Sequence, residues 1–334
     1  MKFSQYMYAW LYGPKGYYTT LPSIGKTGDF YTSVSTSMFF GGTLGQLIVE
    51  RVRCGLLSPD AHVIEIGAHQ GYMMADVMQF VYSLEPSLAK SLHFTIVEPL
   101  EQLRLAQQKT LQTAFGEALH VSIIPSLETF TCKEALVVCN ELFDAFPCEV
   151  IMEEKMLHME NHVPVFAPLE PELKAKAQLL GVEKGEVACG LEAFALTLGM
   201  ACEACEVIAF DYGEPYPRND MSLRVYQHHQ SYPFFELTCK AGAKERLADF
   251  FGVSDVTYDV NFAHVRTAME TAGFAHQETK TQASALVDFG LMGLLELLRQ
   301  KVDETTYRAE LEKAKQLILP SFLGERFKMI RFKK

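Results

Sequence analysis

The chain has 334 residues, of which 49% are hydrophobic and 21% charged, so it can bury a sizeable core and is not globally disordered. Its 30 Lys and Arg against 41 Asp and Glu give a formal net charge of −11. Nucleic-acid binders are normally basic, so we expect no nucleic-acid partner. The sequence has ordinary cysteine usage, shows no leader pattern and contains no apolar run of ~18 residues. We therefore predict a cytoplasmic protein without a membrane span.

From residue 51 onward, short apolar runs alternate with helical patterns. The predicted strands are residues 63–66, 92–97, 121–124, 135–139 and 207–210. Helical patterns at 73–83 and 100–114 lie between the first three strands, and Gln107 falls on one face of the second with Leu103 and Ala106. This alternation predicts an α/β fold with a doubly wound, mostly parallel sheet. Helices at 286–298 and 304–317 and a strand at 327–332 are expected to close the chain.

The predicted sheet is preceded and interrupted by other segments. Residues 1–50 predict an N-terminal cap with helices. The connection from about 148 to 206 is too long for one helix, which indicates an insertion at 150–205 that covers the substrate cleft. Residues 51–149 and 206–334 then form the core.

Ligands of open parallel sheets bind outside the carboxyl ends of the strands. After the first predicted strand, Gly67 permits a tight turn and close approach of a ligand, and Gly71 permits close helix packing. The Gly-x-Gly-x-x-Gly dinucleotide pattern is not met, and such a turn is also an ordinary structural feature. Glu98 ends the second strand, where a carboxylate either accepts hydrogen bonds from ribose hydroxyls or is simply solvated.

The fourth predicted strand ends in a polar and aromatic block at residues 140–147. Asn140, Glu141 and Asp144 lie there beside two phenylalanines and a proline. Carboxylates among apolar neighbours suit a cationic or amine substrate, above all the two-pronged guanidinium group. The alternative is that Asn140 or Asp144 caps a following helix.

Ten segments in order resemble the MidA-like family of S-adenosylmethionine-dependent methyltransferases, whose mitochondrial members are protein-arginine methyltransferases linked to assembly of respiratory complex I. The segments are residues 11–18, 28–33, 65–71, 97–98, 140–147, 211–213, 255–257, 260–262, 281–282 and 324–328. The first turn departs from the Glu-x-Gly-x-Gly-x-Gly pattern of the family, because His69 stands at its middle glycine. Val34 and Asn261 also differ from the family, which has Pro and Asp there.

The resemblance implies a Rossmann-like class I methyltransferase with S-adenosylmethionine as cofactor. The cofactor-binding residues that it implies are Glu65, Gly67 and Gly71 for the methionine end, Glu98 for the ribose, Asp29 in the cap, and Ser126 and Leu127 for the adenine. Glu141 and Asp144 would orient an arginine guanidinium and receive its proton, with Asn140 as their amide partner.

The first functional hypothesis is therefore a methyltransferase acting on an arginine side chain of a protein. A second is a non-catalytic assembly protein that keeps the fold while His69 prevents cofactor binding. A third, a nicotinamide-dependent oxidoreductase, is disfavoured by the missing dinucleotide pattern. We expect no metal site, because the Cys-x-x-Cys at 202–205 has no second pair, and the sequence leaves a homodimer open.

Overall fold

The computed structural model describes residues 1–20, 32–118, 120–227, 230–238 and 243–334. Contacts divide the chain into two compact units. The first unit contains Met1–Phe30, Leu142–Ala195 and Tyr212–Thr271, and the second contains Tyr31–Glu141, Leu196–Asp211 and Ala272–Lys334. The domain boundaries inferred from the sequence at residues 50, 150 and 206 stay a prediction.

The elements are numbered in chain order. The helices are α1 (Phe3–Tyr12), α2 (Tyr17–Thr20), α3 (Ser33–Thr36), α4 (Phe39–Arg53), α5 (Tyr72–Leu84), α6 (Leu88–Ser91), α7 (Glu101–Phe115), α8 (Pro171–Leu180), α9 (Leu191–Ala201), α10 (Phe234–Thr238), α11 (Ala243–Phe250), α12 (Phe262–Thr271), α13 (Gln282–Asp288), α14 (Leu291–Lys301) and α15 (Glu304–Ile318). The strands are β1 (His62–Ile66), β2 (His93–Val97), β3 (Val121–Ile124), β4 (Cys132–Asn140), β5 (Cys148–Met152), β6 (Lys155–Glu160), β7 (Val163–Pro168), β8 (Lys184–Ala188), β9 (Cys202–Glu214), β10 (Arg224–Gln227), β11 (Gln230–Pro233), β12 (Asp255–Thr257), β13 (Val260–Asn261), β14 (Ala275–Thr281) and β15 (Phe327–Lys333).

The second unit is built around a mostly parallel sheet. Its strand order is β14-β15-β9-β4-β1-β2-β3. The pairs β1–β2, β1–β4, β2–β3 and β4–β9 are parallel, and β14–β15 is antiparallel. The backbones of Cys205 in β9 and Lys334 just after β15 exchange two hydrogen bonds, as antiparallel neighbours do. The prediction of a doubly wound, mostly parallel sheet is therefore confirmed.

Two helices that flank β1 in sequence pack unusually closely on each other. A Cβ added at Gly41 of α4 would lie 2.6 Å from the Asp76 Cβ of α5, and one at Gly45 would lie 3.0 Å from the Val77 carbonyl oxygen. The glycines of α4 therefore let the two backbones approach. This contact fixes α5, the helix that follows the glycine-bearing turn after β1.

The predicted strands at the sheet centre are present, but two elements near the end of the chain differ from expectation. The single helix expected at 286–298 is two helices, α13 and α14, because the chain turns at Gly290 with φ 100°. Strand β14 was not predicted, because an edge strand that is half exposed lacks the apolar run of a central strand.

The first unit contains two smaller sheets. One is antiparallel with the order β7-β6-β5-β8, and the other has the order β11-β10-β12. Helix α1 is anchored in this unit by Trp10, which is fully buried and donates a hydrogen bond from Nε1 to the Ser254 carbonyl at 2.8 Å. The last residues of β9 continue into this unit, where Gly213 pairs with Val260 of β13.

A buried ionic group in the second unit provides a test of the fold. The Glu206 side chain in β9 is 8% exposed, and its Oε1 accepts hydrogen bonds from Arg51 and Arg331, each at 3.0 Å. We expect Glu206→Gln to lower the free energy of unfolding by about 3 kcal/mol, because the largely buried Arg51 loses this ion pair and Arg331 keeps only the one with Glu278. Urea titration measures this. The same substitution at the exposed Glu203 of the same strand is the control, and an equal effect of the two would contradict the assignment.

Candidate functional site

The carboxyl ends of the central strands lie level with one another. In the parallel register Ile66 of β1 is opposite Val97 of β2 and Cys139 of β4, and Asn140 is opposite Phe210 of β9. The strand order also reverses between β1 and β4, which is where open sheets of this kind bind ligands. The segments that follow these strands are therefore gathered along one edge of the second unit.

The turn between β1 and α5 has left-handed backbone at alternate positions. Gly67, His69 and Gly71 have φ values of 76°, 46° and 80°. The conformation suits glycine but is strained for histidine, which explains why a glycine pattern fits this turn. The turn is closed by a hydrogen bond of 2.7 Å from the Gly71 N–H to the Ala68 carbonyl. His69 is exposed as a whole residue, although burial of its ring lowers the pKa of the imidazole.

Glu65 lies near the end of β1 with 3% of its surface exposed. Its carboxyl group accepts a hydrogen bond from the backbone of Met74 in the first turn of α5. No described group donates to its buried Oε2. Burial raises the pKa of Glu65 to about 8, with smaller contributions from the charges of Asp76 and Glu98.

Glu98 follows β2 directly and is 4% exposed. Its Oε1 accepts from the Leu100 N–H at 3.0 Å and its Oε2 from Gln107 Nε2 at 3.4 Å. Burial raises the pKa of Glu98 to about 7, although both hydrogen bonds and the charge of Arg104 oppose the rise. Two carboxylate oxygens offer about four acceptor positions, so Glu98 retains capacity for further donors.

The other predicted cofactor residues have less distinctive surroundings. Ser126 and Leu127 follow β3, where the Ser126 Oγ accepts from the Glu128 N–H at 2.9 Å and Leu127 is buried. This is a local turn that leaves the hydroxyl proton of Ser126 available. Asp29, predicted to close over the cofactor, lies outside the described residues.

Asn140 and Glu141 continue from the end of β4. Asn140 is 9% exposed, and its Nδ2 donates to Glu141 Oε1 at 3.1 Å. Glu141 has φ 50° and its N–H donates to the Phe210 carbonyl at 2.9 Å. Left-handed backbone at a non-glycine residue is strained and is characteristic of functional sites. The half-buried Glu141 carboxylate is therefore held in a defined place by its backbone and by Asn140.

Asp144 belongs to the first unit, whereas Glu141 belongs to the second. It lies in a 3₁₀ turn, Phe143–Ala145, and is 6% exposed. Its Oδ2 accepts from the Tyr212 hydroxyl at 2.6 Å and from the Thr257 hydroxyl at 2.7 Å. Burial raises the pKa of Asp144 against the opposing effect of these hydrogen bonds. Tyr212 and Thr257 both come from segments that carried the family resemblance.

Three buried side-chain oxygen atoms of the second unit receive no hydrogen bond from the described part of the chain. They are Glu65 Oε2, Gln107 Oε1 and Asn140 Oδ1. Buried acceptors are ordinarily paired, so this edge of the sheet suits a ligand that brings donors. S-adenosylmethionine has two ribose hydroxyls and an ammonium group, and so the residues present fit it.

Sequence reasoning missed Gln107 as a site residue. It was noted only as part of one helix face, yet it is fully buried and contacts both Glu98 and the backbone of His69. A polar side chain on the apolar face of a predicted helix was the available signal.

The large sheet of this chain has the strand order, the mostly parallel pairing and the antiparallel last strand of the Rossmann-like class I methyltransferase fold. Residues 43–279 match the family described as "Putative S-adenosyl-L-methionine-dependent methyltransferase". The chain belongs to this family, which confirms the MidA-like resemblance. It is accordingly a methyltransferase, and S-adenosylmethionine is its cofactor.

Relatives with assigned names cover nearly the whole chain. The Mus musculus protein named Protein arginine methyltransferase NDUFAF7, mitochondrial, is 25% identical over 97% of this chain and 79% of its own length. The Drosophila melanogaster protein of the corresponding name is 25% identical over 82% of this chain and 67% of its own. A Burkholderia thailandensis structure with bound S-adenosyl-homocysteine is 24% identical with a TM-score of 0.79, covering 100% of this chain and 88% of that chain, and supports the fold.

The comparisons correct one expectation drawn from the sequence. The prediction of a cytoplasmic protein is wrong, because the mouse, rat and fly relatives are all named as mitochondrial proteins. Within the described ranges, none of the helices combines the length and apolar character that crossing a bilayer requires. None of the relatives named above is an oxidoreductase.

The strained His69 gives a test of the turn. We expect His69→Gly to raise the free energy of unfolding by about 0.5–1 kcal/mol, because relief of left-handed strain exceeds the extra entropy of the unfolded glycine. His69→Ala keeps the strain and is the matched control. Chemical denaturation compares the three proteins, and a glycine variant less stable than the alanine variant would contradict the strained conformation.

The raised pKa of Glu65 predicts a pH dependence of the ligand-free protein. The folded state holds a proton up to about pH 8, whereas the unfolded group loses it near 4.5, so this stabilisation is complete below pH 4.5 and declines as pH rises towards 8. Glu65→Gln removes the dependence. The difference in unfolding free energy should therefore shift in the variant's favour between pH 5 and 8, by at most about 1.4 kcal/mol per pH unit. Glu128→Gln, at an exposed position, is the control variant, and a difference for Glu65→Gln that stays constant would refute the assignment.

Proposed function

We propose that this protein transfers the methyl group of S-adenosylmethionine to an arginine side chain of a protein substrate. The observation that carries the proposal is the Glu141 carboxylate, fixed in left-handed backbone at the strand-end edge that also bears Glu98. The names of the mouse and fly relatives, which specify arginine, support the same substrate class.

The cofactor is held, in this proposal, by the segments that follow the first three strands. The Gly67–Gly71 turn gives the methionine end a backbone surface without side chains at two positions, and the orphan oxygen of Glu65 accepts from a donor there. Glu98 accepts hydrogen bonds from the ribose hydroxyls. Ser126 and Leu127 offer a hydroxyl and an apolar surface to the adenine.

The bound cofactor supplies a methyl group on a positively charged sulfur, ready for in-line displacement. A guanidinium group is fully protonated at neutral pH, so its attacking nitrogen must be oriented and must release a proton. Glu141 accepts hydrogen bonds from two guanidinium N–H groups, concentrates the positive charge away from the attacking nitrogen and receives the one proton that this nitrogen releases. Asn140 orients this carboxylate through the hydrogen bond from its Nδ2 to Oε1.

Asp144 is the second predicted carboxylate. Its catalytic role stays a prediction from the sequence, and within the first unit its Oδ2 accepts a hydrogen bond from the Tyr212 hydroxyl at 2.6 Å. The buried hydrogen bonds to Tyr212 and Thr257 fix the rotamer of Asp144 before a substrate arrives.

The assignment is tested with Glu141→Gln and Asp144→Asn, which preserve shape and remove charge. We expect each to reduce methyl transfer at least 100-fold, about 2.7 kcal/mol of transition-state stabilisation. Glu141→Gln removes the counter-charge and proton acceptor of the guanidinium, and Asp144→Asn removes the second predicted carboxylate. Transfer is measured by mass spectrometry on arginine-containing protein from a strain lacking this chain, and cofactor affinity by titration calorimetry.

Both variants should bind S-adenosyl-homocysteine as the wild type does, whereas Glu98→Ala should lose that binding. Full activity in both carboxylate variants would refute the roles of Glu141 and Asp144. Methylation of lysine alone would refute the arginine substrate, and cofactor binding without transfer to any protein would favour the non-catalytic assembly protein.

A further inference from the structure

Gln107 lies in the middle of α7 and is fully buried. Its Nε2 donates hydrogen bonds to the His69 carbonyl at 2.9 Å and to Glu98 Oε2 at 3.4 Å. One side-chain amide thus joins the turn after β1 to the carboxylate after β2. These are the two segments on which cofactor binding is proposed to depend.

We propose that Gln107 is a positioning residue for S-adenosylmethionine, which holds the strained His69 backbone and the Glu98 carboxylate in their binding arrangement. The inference rests on the proposed role of Glu98 as ribose acceptor. It adds a third element, α7, to a site that otherwise consists of strand ends and the turns that follow them.

The contacts of Gln107 indicate a role beyond satisfying the hydrogen bonds of a buried amide. Its amide donates to the carbonyl of His69, a residue in left-handed conformation that other contacts must hold in place. The turn also lies against α7 at the next glycine, since a Cβ added at Gly71 would be in van der Waals contact with the Gln107 Cγ at 3.4 Å. The amide therefore acts where the turn is strained and in contact with α7.

Helix α7 fixes the backbone at Glu98 as well. Arg104, one turn before Gln107, donates from Nη1 to the carbonyls of Glu98 and Pro99 at 3.0 and 2.7 Å. Arg104 thus holds the main chain while Gln107 holds the side-chain carboxylate. Helix α7 therefore restrains both the backbone and the side chain of Glu98, the proposed ribose acceptor.

A neutral amide suits this position. It donates at every pH and leaves the negative charge of Glu98 for the ribose hydroxyls, whereas a lysine would neutralise that charge and repel the ammonium of the cofactor. It also favours the ionised form of Glu98 by donating to it.

The first experiment compares Gln107→Met with Gln108→Met. Both sites lie on α7, Gln108 is exposed, and glutamine and methionine have similar helix propensities. We expect Gln107→Met to weaken S-adenosyl-homocysteine binding about tenfold or more by calorimetry, because one donor to a charged acceptor and one to the turn are lost. Gln108→Met should bind as the wild type does, and equal binding by all three proteins would overturn the proposal.

Coupling to Glu98 distinguishes positioning from a general loss of stability. In a Glu98→Gln background the penalty of Gln107→Met should shrink to less than about threefold, because the contact it removes has already been altered. The same penalty in both backgrounds would overturn the proposal. If Glu98→Ala binds the cofactor as the wild type does, the proposed cofactor site itself fails, which is a separate result.

The pH dependence of binding supplies a readout that a structural role would not move. Wild-type affinity should fall as pH drops below about 7, where Glu98 becomes protonated, and the midpoint should move upward in Gln107→Met. The charged groups facing Glu98, Arg104 of α7 and Glu65 of β1, are unchanged in the variant. An unmoved midpoint would overturn the proposal.

A second variant covers the case in which Gln107→Met does not fold. Gln107→Glu keeps the side-chain shape and places a carboxylate against Glu98 and a carbonyl. Its affinity relative to wild type should be lowest at pH 8 and recover towards pH 6, where a shared proton restores a donor. A ratio that does not change with pH would overturn the proposal.

Discussion

The site depends on one constraint, which is that the parallel strands β1, β2 and β4 end at the same level of the sheet. Because β1, β2 and β4 are in register up to Ile66, Val97 and Cys139, the residues that follow them emerge together. A one-residue slip would turn each of these side chains to the opposite face of the sheet. Hydrogen bonding along the ladder therefore places the glycine turn, Glu98 and Asn140 at a common edge.

Burial gives that edge its chemical character. Glu65 and Glu98 are buried with few donors, and burial raises their pKa values to about 8 and about 7. Acceptors left without donors weaken the ligand-free fold, and a ligand that brings hydroxyl and ammonium donors removes this cost. The same arrangement thus lowers intrinsic stability and favours binding of a donor-rich cofactor.

In the described part of the second unit, left-handed backbone at residues other than glycine occurs at the same edge. His69 and Glu141 both have left-handed backbone without being glycine, and each is held by hydrogen bonds from neighbouring elements. Such conformations persist only where the surroundings determine them. The turn of His69 is restrained from α7, and the backbone of Glu141 from β9, so the rigidity of the site is supplied by the whole second unit.

The sequence by itself predicted the parallel core and the strand-end positions of Glu65, Glu98 and Glu141, because apolar periodicity and turn glycines are local features. The family was indicated by the resemblance of ten short segments. It could not place Gln107 against Glu98, nor show that Glu141 and Asp144 belong to different units. The sequence also predicted a single helix where the chain turns at Gly290, and it did not predict the polar edge strand β14. These outcomes depend on contacts between residues distant in sequence, and only the tertiary structure decided which buried groups found partners and which backbones are strained.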